Sequence, residues 1–102
     1  MGINIGKYQF EGPYHNTASL SDKSGVYAIL DFWNGSYRII DVGESAKVKT
    51  RVENHDRMPC WNGSKKGALM ASVLYTPSAQ QAGRMAIEQE LRQQYKPPCG
   101  DR

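Results

Sequence analysis

Tyr27, Asp41, Arg51, His55 and Glu88 are the residues whose types and spacing suit chemistry. A phenol, an imidazole, a guanidinium and carboxylates match what phosphodiester hydrolysis requires. Something must activate water, something must hold a metal, and positive charge must sit where the transition state gathers negative charge. Arg51 and His55 stand four positions apart, so they share one face of any helix between them. Glu88 lies about 100° around its helix from Ile87 and about 60° from Leu91, at the border of an apolar stripe. A carboxylate there is oriented without being entombed. Each residue also has an ordinary reading. Glu88 can form an i,i+4 salt bridge with Arg84, worth roughly a few tenths of a kcal/mol. Arg51 and His55 can decorate a surface helix beside a basic loop, and Tyr27 can simply pack in a core. Only the joint spacing raises the functional reading above these.

The elements that must position these groups are legible in outline. Val26–Phe32 and Tyr37–Val42 are rich in β-branched and aromatic residues and flank Asn34-Gly35, a strong hairpin signal. A two-residue turn there pairs Trp33 with Ser36 and puts Tyr27 and Asp41 on opposite faces of the sheet. A three- or five-residue loop puts Tyr27, Ile29, Asp31, Tyr37, Ile39 and Asp41 on one face. The odd loop separates polar from apolar better and is the register favoured here. Gly43-Glu44-Ser45 breaks the strand, with Ser45 a helix cap, and a short helix follows from Ala46 to about His55 with Val48 and Val52 inward. Met58–Gly67, with Pro59, Asn62-Gly63 and Lys65-Lys66, reads as a loop. Ala68–Tyr75 is apolar and of strand length, a third and central strand. Thr76-Pro77 opens a last helix, which Pro97-Pro98 stops; Ile87, Leu91 and Tyr95, with Ala82 and Met85, form its inward stripe. Residues 1–24 read as an irregular arm with a short strand near Lys7–Phe10. The expected fold is thus α+β, a small, mostly antiparallel three-stranded sheet flanked by helices in the order β-β-α-β-α. It is expected as a single domain over residues 1–102, with a 25–100 core carrying the motifs.

A chain of 102 residues has room for one core. No apolar run is long enough to cross a bilayer and no basic-then-apolar signal segment opens it, so the expected location is cytoplasmic, with no membrane partner. Cys60 and Cys99 are then expected as reduced thiols. The net charge is +3. Lys47, Lys49, Arg51, Arg57, Lys65 and Lys66 fall in one stretch, opposed there by Glu53 and Asp56, which suits nucleic acid and equally suits a solvated helix face. A zinc module built from His55, Cys60 and Cys99, with His15, is a further reading, although its His-to-Cys spacing matches no recognised finger.

Gly25-Val26-Tyr27, Asp41-Val42-Gly43, Arg51, His55 and Glu88 ahead of Leu91 and Pro97 together resemble the GIY-YIG nucleases, over about residues 24–100. In that family a Gly-x-Tyr strand precedes a Tyr-x-Gly strand, a helix with an arginine, and a helix with a glutamate. The resemblance implies a divalent cation, usually Mg²⁺ and alternatively Mn²⁺, on Glu88, since a hard cation suits one carboxylate plus waters and phosphate. It implies Arg51 against the phosphoryl group, Tyr27 as or beside the general base, and His55 positioning Tyr27 or water. The substrate it implies is nucleic acid, DNA before RNA, with Lys47, Lys49, Arg57, Lys65 and Lys66 on its backbone. Specificity would come from a homodimer or a separate targeting partner. Two positions depart from the pattern. Asp41 replaces the second tyrosine, as a further metal ligand, a base, or a charge that repels phosphate and abolishes cutting. Gly100 stands where many relatives carry asparagine. The alternative function is a non-cutting member of the fold that binds nucleic acid or protein.

Overall fold

The computed structural model describes residues 2–100. Its strands are β1 (Gly2–Ile5), β2 (Tyr8–Tyr14), β3 (Gly25–Trp33), β4 (Ser36–Ser45) and β5 (Ala68–Tyr75). The helices are α1 (Val48–Glu53), α2 (Met58–Ser64) and α3 (Gln81–Tyr95), and a 3₁₀ turn spans Thr17–Ser19. The strands form one sheet in the order β1-β2-β5-β3-β4 with every neighbouring pair antiparallel. The fold class is α+β as expected, and β5 is the central strand. The sheet has five strands instead of three.

The additional strands come from the segment expected to be an irregular arm. Its β1–β2 hairpin turns at Gly6 and buries Ile5 and Phe10 beneath α3. Glycine and proline interrupt its alternation, which hides the strand pattern from the sequence. Met58–Ser64, expected to be loop, is helical because its proline falls in the first turn, where a missing N–H costs nothing. The last helix begins at Gln81, not at Thr76-Pro77, because the Thr76 N–H bonds Ser24 O and the chain turns once more before entering it.

The hairpin register is a correction with a consequence. Trp33 does pair with Ser36 across a two-residue turn, Asn34 and Gly35 both at positive φ (55° and 78°). The register then slips between Ile29 and Leu30, which face Asp41 and Ile39, so that Ile40 is one residue extra. This bulge returns Tyr27, Ile29 and Asp41 to one face, as the odd loop does, but Ile40 joins that face and Ile39 packs on the other, the reverse of what the odd loop gives.

Two apolar layers result. On one face Tyr27, Ile29, Ile40, Ala71 and Val73 pack under Val48 and Val52 of α1 and Trp61 of α2. On the other Val26, Ala28, Leu30, Val42 and Met70 pack against Phe10 and Leu91 of α3. The expected α3 stripe is only partly inward: Leu91 is buried and Ile87 packs beside it, while Met85 is 42% and Tyr95 40% exposed. Fully burying one leucine contributes about 2–3 kcal/mol, a modest anchor for a helix of this length. The other buried residues of α3 are Arg84 and Arg92, so ion pairs complete the docking.

Cys60 and Cys99 are joined in a disulfide, a correction to the expectation of free thiols. After α3 the chain returns along β4, where the Cys99 N–H donates to Ile40 O and brings the sulfur against α2. Neither cysteine is then a thiolate, which removes the zinc reading. Among the described residues no cluster of three His, Cys, Asp or Glu side chains could hold a metal. No helix among them is long and apolar enough to cross a membrane.

Candidate active site

The site is built around Tyr27. On β3 it faces Gly43 of β4, and the hydroxyl end of its ring occupies the space a side chain there would need: a Cβ on Gly43 would stand 2.2 Å from the phenol oxygen. The glycine that ends the second motif is therefore a requirement of the tyrosine in the first. Its oxygen lies 2.6 Å from Nε2 of His55, which sits in the link between α1 and α2. The backbone N–H of Arg57 donates to the other ring nitrogen, Nδ1, at 3.0 Å. A main-chain N–H cannot accept, so Nδ1 carries the lone pair and Nε2 the proton. His55 therefore donates to Tyr27, and the phenol's own proton points elsewhere.

Burial dominates both titrations. It pushes the Tyr27 phenol up to about 12; Arg51 and Arg57 pull it down, and Asp41 and Glu88 add to the rise. Burial also lowers His55 to about 4, with the cations Arg51 and Arg57 reinforcing it against Asp41 and Asp56. His55 is neutral at pH 7 and Tyr27 holds its proton. The same interactions show that Arg51 and Glu88 lie within electrostatic reach of Tyr27. Arg51 pairs with Asp56 at 3.2 Å on the open side, its side chain 39% exposed.

Asp41 holds a different place from any assigned to it on sequence grounds. It is fully buried. Its Oδ1 accepts from the Val42 N–H at 2.8 Å and from Arg92 Nη2 at 2.6 Å. Its Oδ2 accepts from Arg57 Nε and Trp61 Nε1, both at 2.8 Å. Two acceptor positions on each oxygen are thereby filled, which leaves none for a metal or for a proton from water. Two guanidiniums also neutralise it, so it does not repel phosphate. Its work is to tie β4 to α2 and α3.

Glu88 does form an i,i+4 salt bridge, but with Arg92 and not with Arg84, Arg92 Nε donating to Oε2 at 3.1 Å. Arg84 instead reaches Glu44 at 2.9 Å. Arg92 is already matched by Asp41 and also donates to the carbonyls of Val42 and Cys99. Glu88 thus keeps a part-exposed carboxylate whose Oε1 accepts no hydrogen bond among the described residues. One free carboxylate oxygen beside open solvent fits a hard cation that retains most of its waters.

Of the basic residues, Arg57 is spent on Asp41. Lys47 and Lys49 lie at the start of α1, near Asp22. Lys65 and Lys66 are exposed just after α2. A cleft of about 260 Å³ opens on the α1–α2 face among Tyr14, Val52, Met58, Trp61 and Leu69, but neither Tyr27 nor Glu88 lines it. The sequence pattern pointed to Arg84 as the partner of Glu88 and passed over Arg92 and Trp61. The signal for the arginines was present, since Arg84, Glu88 and Arg92 fall at four-residue steps on one helix face.

No protein-family profile matches the sequence, and no curated protein does. A solved structure does. The chain is similar to the GIY-YIG N-terminal endonuclease domain of UvrC from Thermotoga maritima, a point mutant bound to its catalytic divalent cation. The TM-score is 0.60 at 13% identity, over 84% of this chain and 91% of that one. The chain therefore has the fold of that GIY-YIG domain, the fold that the resemblance of its motifs implied.

Proposed function

We propose that the chain is a divalent-cation-dependent nuclease of the GIY-YIG type, acting on DNA. The observation that carries this is the short contact between Tyr27 and His55 over Gly43, with the imidazole proton fixed on the nitrogen that faces the phenol. That geometry supplies a hydrogen bond to the phenol oxygen that strengthens as the phenol loses its proton to solvent, and the phenolate so formed is the acceptor of water's proton. Arg51, part-exposed, moves from Asp56 onto the phosphoryl oxygens and meets their charge bidentately. Glu88 would hold the cation; Mg²⁺ is the expected ion, with Mn²⁺ as substitute. Bound there, the cation supplies positive charge to phosphate and to water. Lys47, Lys49, Lys65 and Lys66 bind the substrate backbone, with strong salt dependence. Target choice would come from a second copy or a separate partner. In the cytoplasm, the setting this reading implies, the Cys60–Cys99 bond would be open to reduction.

The test is nicking of supercoiled plasmid in Mg²⁺ or Mn²⁺. Cleavage that disappears in EDTA and in Glu88→Ala supports the reading, and absence of cleavage with either metal rejects it. One observation favours the second reading, a binding domain that does not cut. Tyr27 is only 1% and His55 5% exposed, so water reaches the phenol only if a neighbouring side chain moves.

A further inference from the structure

The tip of the β3–β4 hairpin uses a buried acid for which the reaction has no need. Asp31 is 2% exposed, yet its two oxygens accept the backbone N–H groups of Lys66, at 2.8 Å, and Gly67, at 2.9 Å. Burial alone would raise its pKa. These two bonds, with the Arg38 guanidinium, outweigh burial and hold it below the usual carboxylate range. The ionised carboxylate clamps the α2–β5 connection against the hairpin. In that position Lys66 Nζ sits 5.1 Å from the centre of the Trp33 ring. Arg38 closes the other side, donating to Ser64 O at 2.6 Å with half its side chain in solvent.

Trp33 remains 50% exposed, the most exposed of the large apolar side chains among the described residues. On the opposite face of the same tip, Phe32 (38%) and Tyr37 (44%) are exposed with ring centres 4.8 Å apart. A concavity of about 250 Å³ lies among Asp31, Trp33, Ser36, Arg38 and Lys66. Leaving three aromatic rings in water is unfavourable, and two cations, Arg38 and Lys66, oppose one carboxylate, Asp31, in the concavity beside them. A flat apolar ring flanked by clamped cations matches a base with its phosphate, and the charge excess selects a polyanion.

We infer that this tip is a stacking shelf for unpaired nucleotides: a base lies on Trp33 while Lys66 and Arg38 take the adjoining phosphates. The inference rests on the nuclease-fold reading and narrows its substrate class to nucleic acid with a single-stranded segment. In a duplex the base faces are already stacked, so the shelf discriminates between the two.

The experiment measures binding of the full chain to a fluorescein-labelled oligothymidylate and to a hairpin duplex of equal length, by anisotropy in EDTA, where no metal-dependent cutting occurs. The single strand is expected to bind more tightly and to quench tryptophan emission, since Trp61, the other tryptophan, is buried. Trp33→Ala is expected to weaken single-strand binding about 10-fold, the effect of one stacked base, and to leave duplex binding unchanged. Trp33→Phe should recover part of the loss, and Lys66→Gln should weaken both ligands and lower the salt slope. Equal affinity of the wild-type chain for both ligands overturns the proposal, as does a Trp33→Ala variant that binds the single strand normally. Should no cleavage occur while the Trp33 effect persists, the nuclease reading fails and the shelf stands. Should cleavage occur without a Trp33 effect, the shelf alone fails.

Discussion

Arg57 touches His55 with its main chain and Asp41 with its side chain, its N–H donating to Nδ1 at 3.0 Å and its Nε to Oδ2 at 2.8 Å. One residue thus couples the imidazole's protonation to the buried acid that replaces the second motif tyrosine. The coupling fixes the proton on Nε2 and makes His55 a donor to Tyr27. A histidine accepting from the phenol would help it lose a proton, whereas this one steadies the oxygen once the proton has gone.

The pH dependence of cleavage follows from that assignment. With the phenol raised to about 12, chiefly by burial, the fraction ionised grows about tenfold per pH unit across the neutral and alkaline range. Initial rates of plasmid nicking in Mn²⁺ are expected to climb accordingly from pH 7 to 9. Tyr27→Phe should lose about 100-fold or more at pH 8. A pH-independent rate would remove Tyr27 as the base.

Stability should respond to pH through His55 in the opposite region. Its folded value, about 4, lies below its ordinary value of 6.5, so the unfolded chain binds the proton more tightly. The stability it contributes is complete above pH 6.5 and declines as pH falls toward 4. At 1.36 kcal/mol per unit the loss is at most about 3 kcal/mol. Urea denaturation at pH 7.5 and 4.5 should show it, and His55→Gln should flatten the difference between the two. An equal fall in the variant would assign the loss to carboxylates.

Asp41 and Arg51 should separate stability from activity. Asp41→Asn removes the fully buried counter-charge of the Arg92 guanidinium, 3% exposed at the side chain, and leaves it only the part-exposed Glu88. Breaking such a pair typically costs about 3–5 kcal/mol. Arg51→Ala removes a part-exposed salt bridge and should change stability by less than about 1 kcal/mol while removing cleavage. Guanidinium melts and nicking assays of the two variants should therefore rank them in opposite orders. The same order in both assays would place Asp41 in the chemistry.

What could be read in advance divides along physical lines. The core of β3, β4 and β5 was legible because continuous apolar runs and an Asn-Gly turn are local signals. The grouping of Tyr27 with Asp41 was also reached, but through the wrong device, since a bulge at Ile40 leaves no mark in composition. Arg57 looked like one more surface cation because its partner, Asp41, lies 16 positions earlier in the chain. Long-range ion pairs of this kind carry no periodicity. The hairpin of β1 and β2 escaped for a related reason: it gains its stability from Phe10 and Ile5 against α3, at the far end of the chain. The disulfide escaped because Cys99 meets Cys60 only through the return of the chain along β4, a long-range contact that leaves no local signal.

That disulfide gives the last prediction. Cys60 and Cys99 are 39 positions apart and enclose β5 and α3, so the bond restrains a long loop of the unfolded chain. The loop-entropy relation gives about 4 kcal/mol for a loop of this length, and measured values commonly fall at about 2–4. Dithiothreitol, or Cys60→Ser, is expected to lower the unfolding free energy by that amount, read from urea denaturation. The locally affected contacts are those around Cys99, whose N–H holds Ile40 O and whose carbonyl accepts from Arg92. Loosening of this segment reaches Glu88 through Arg92, so reduction should also weaken Mn²⁺ binding, followed by titration calorimetry in the presence and absence of reductant. Unchanged metal affinity in a destabilised, reduced protein would confine the bond to a purely structural part.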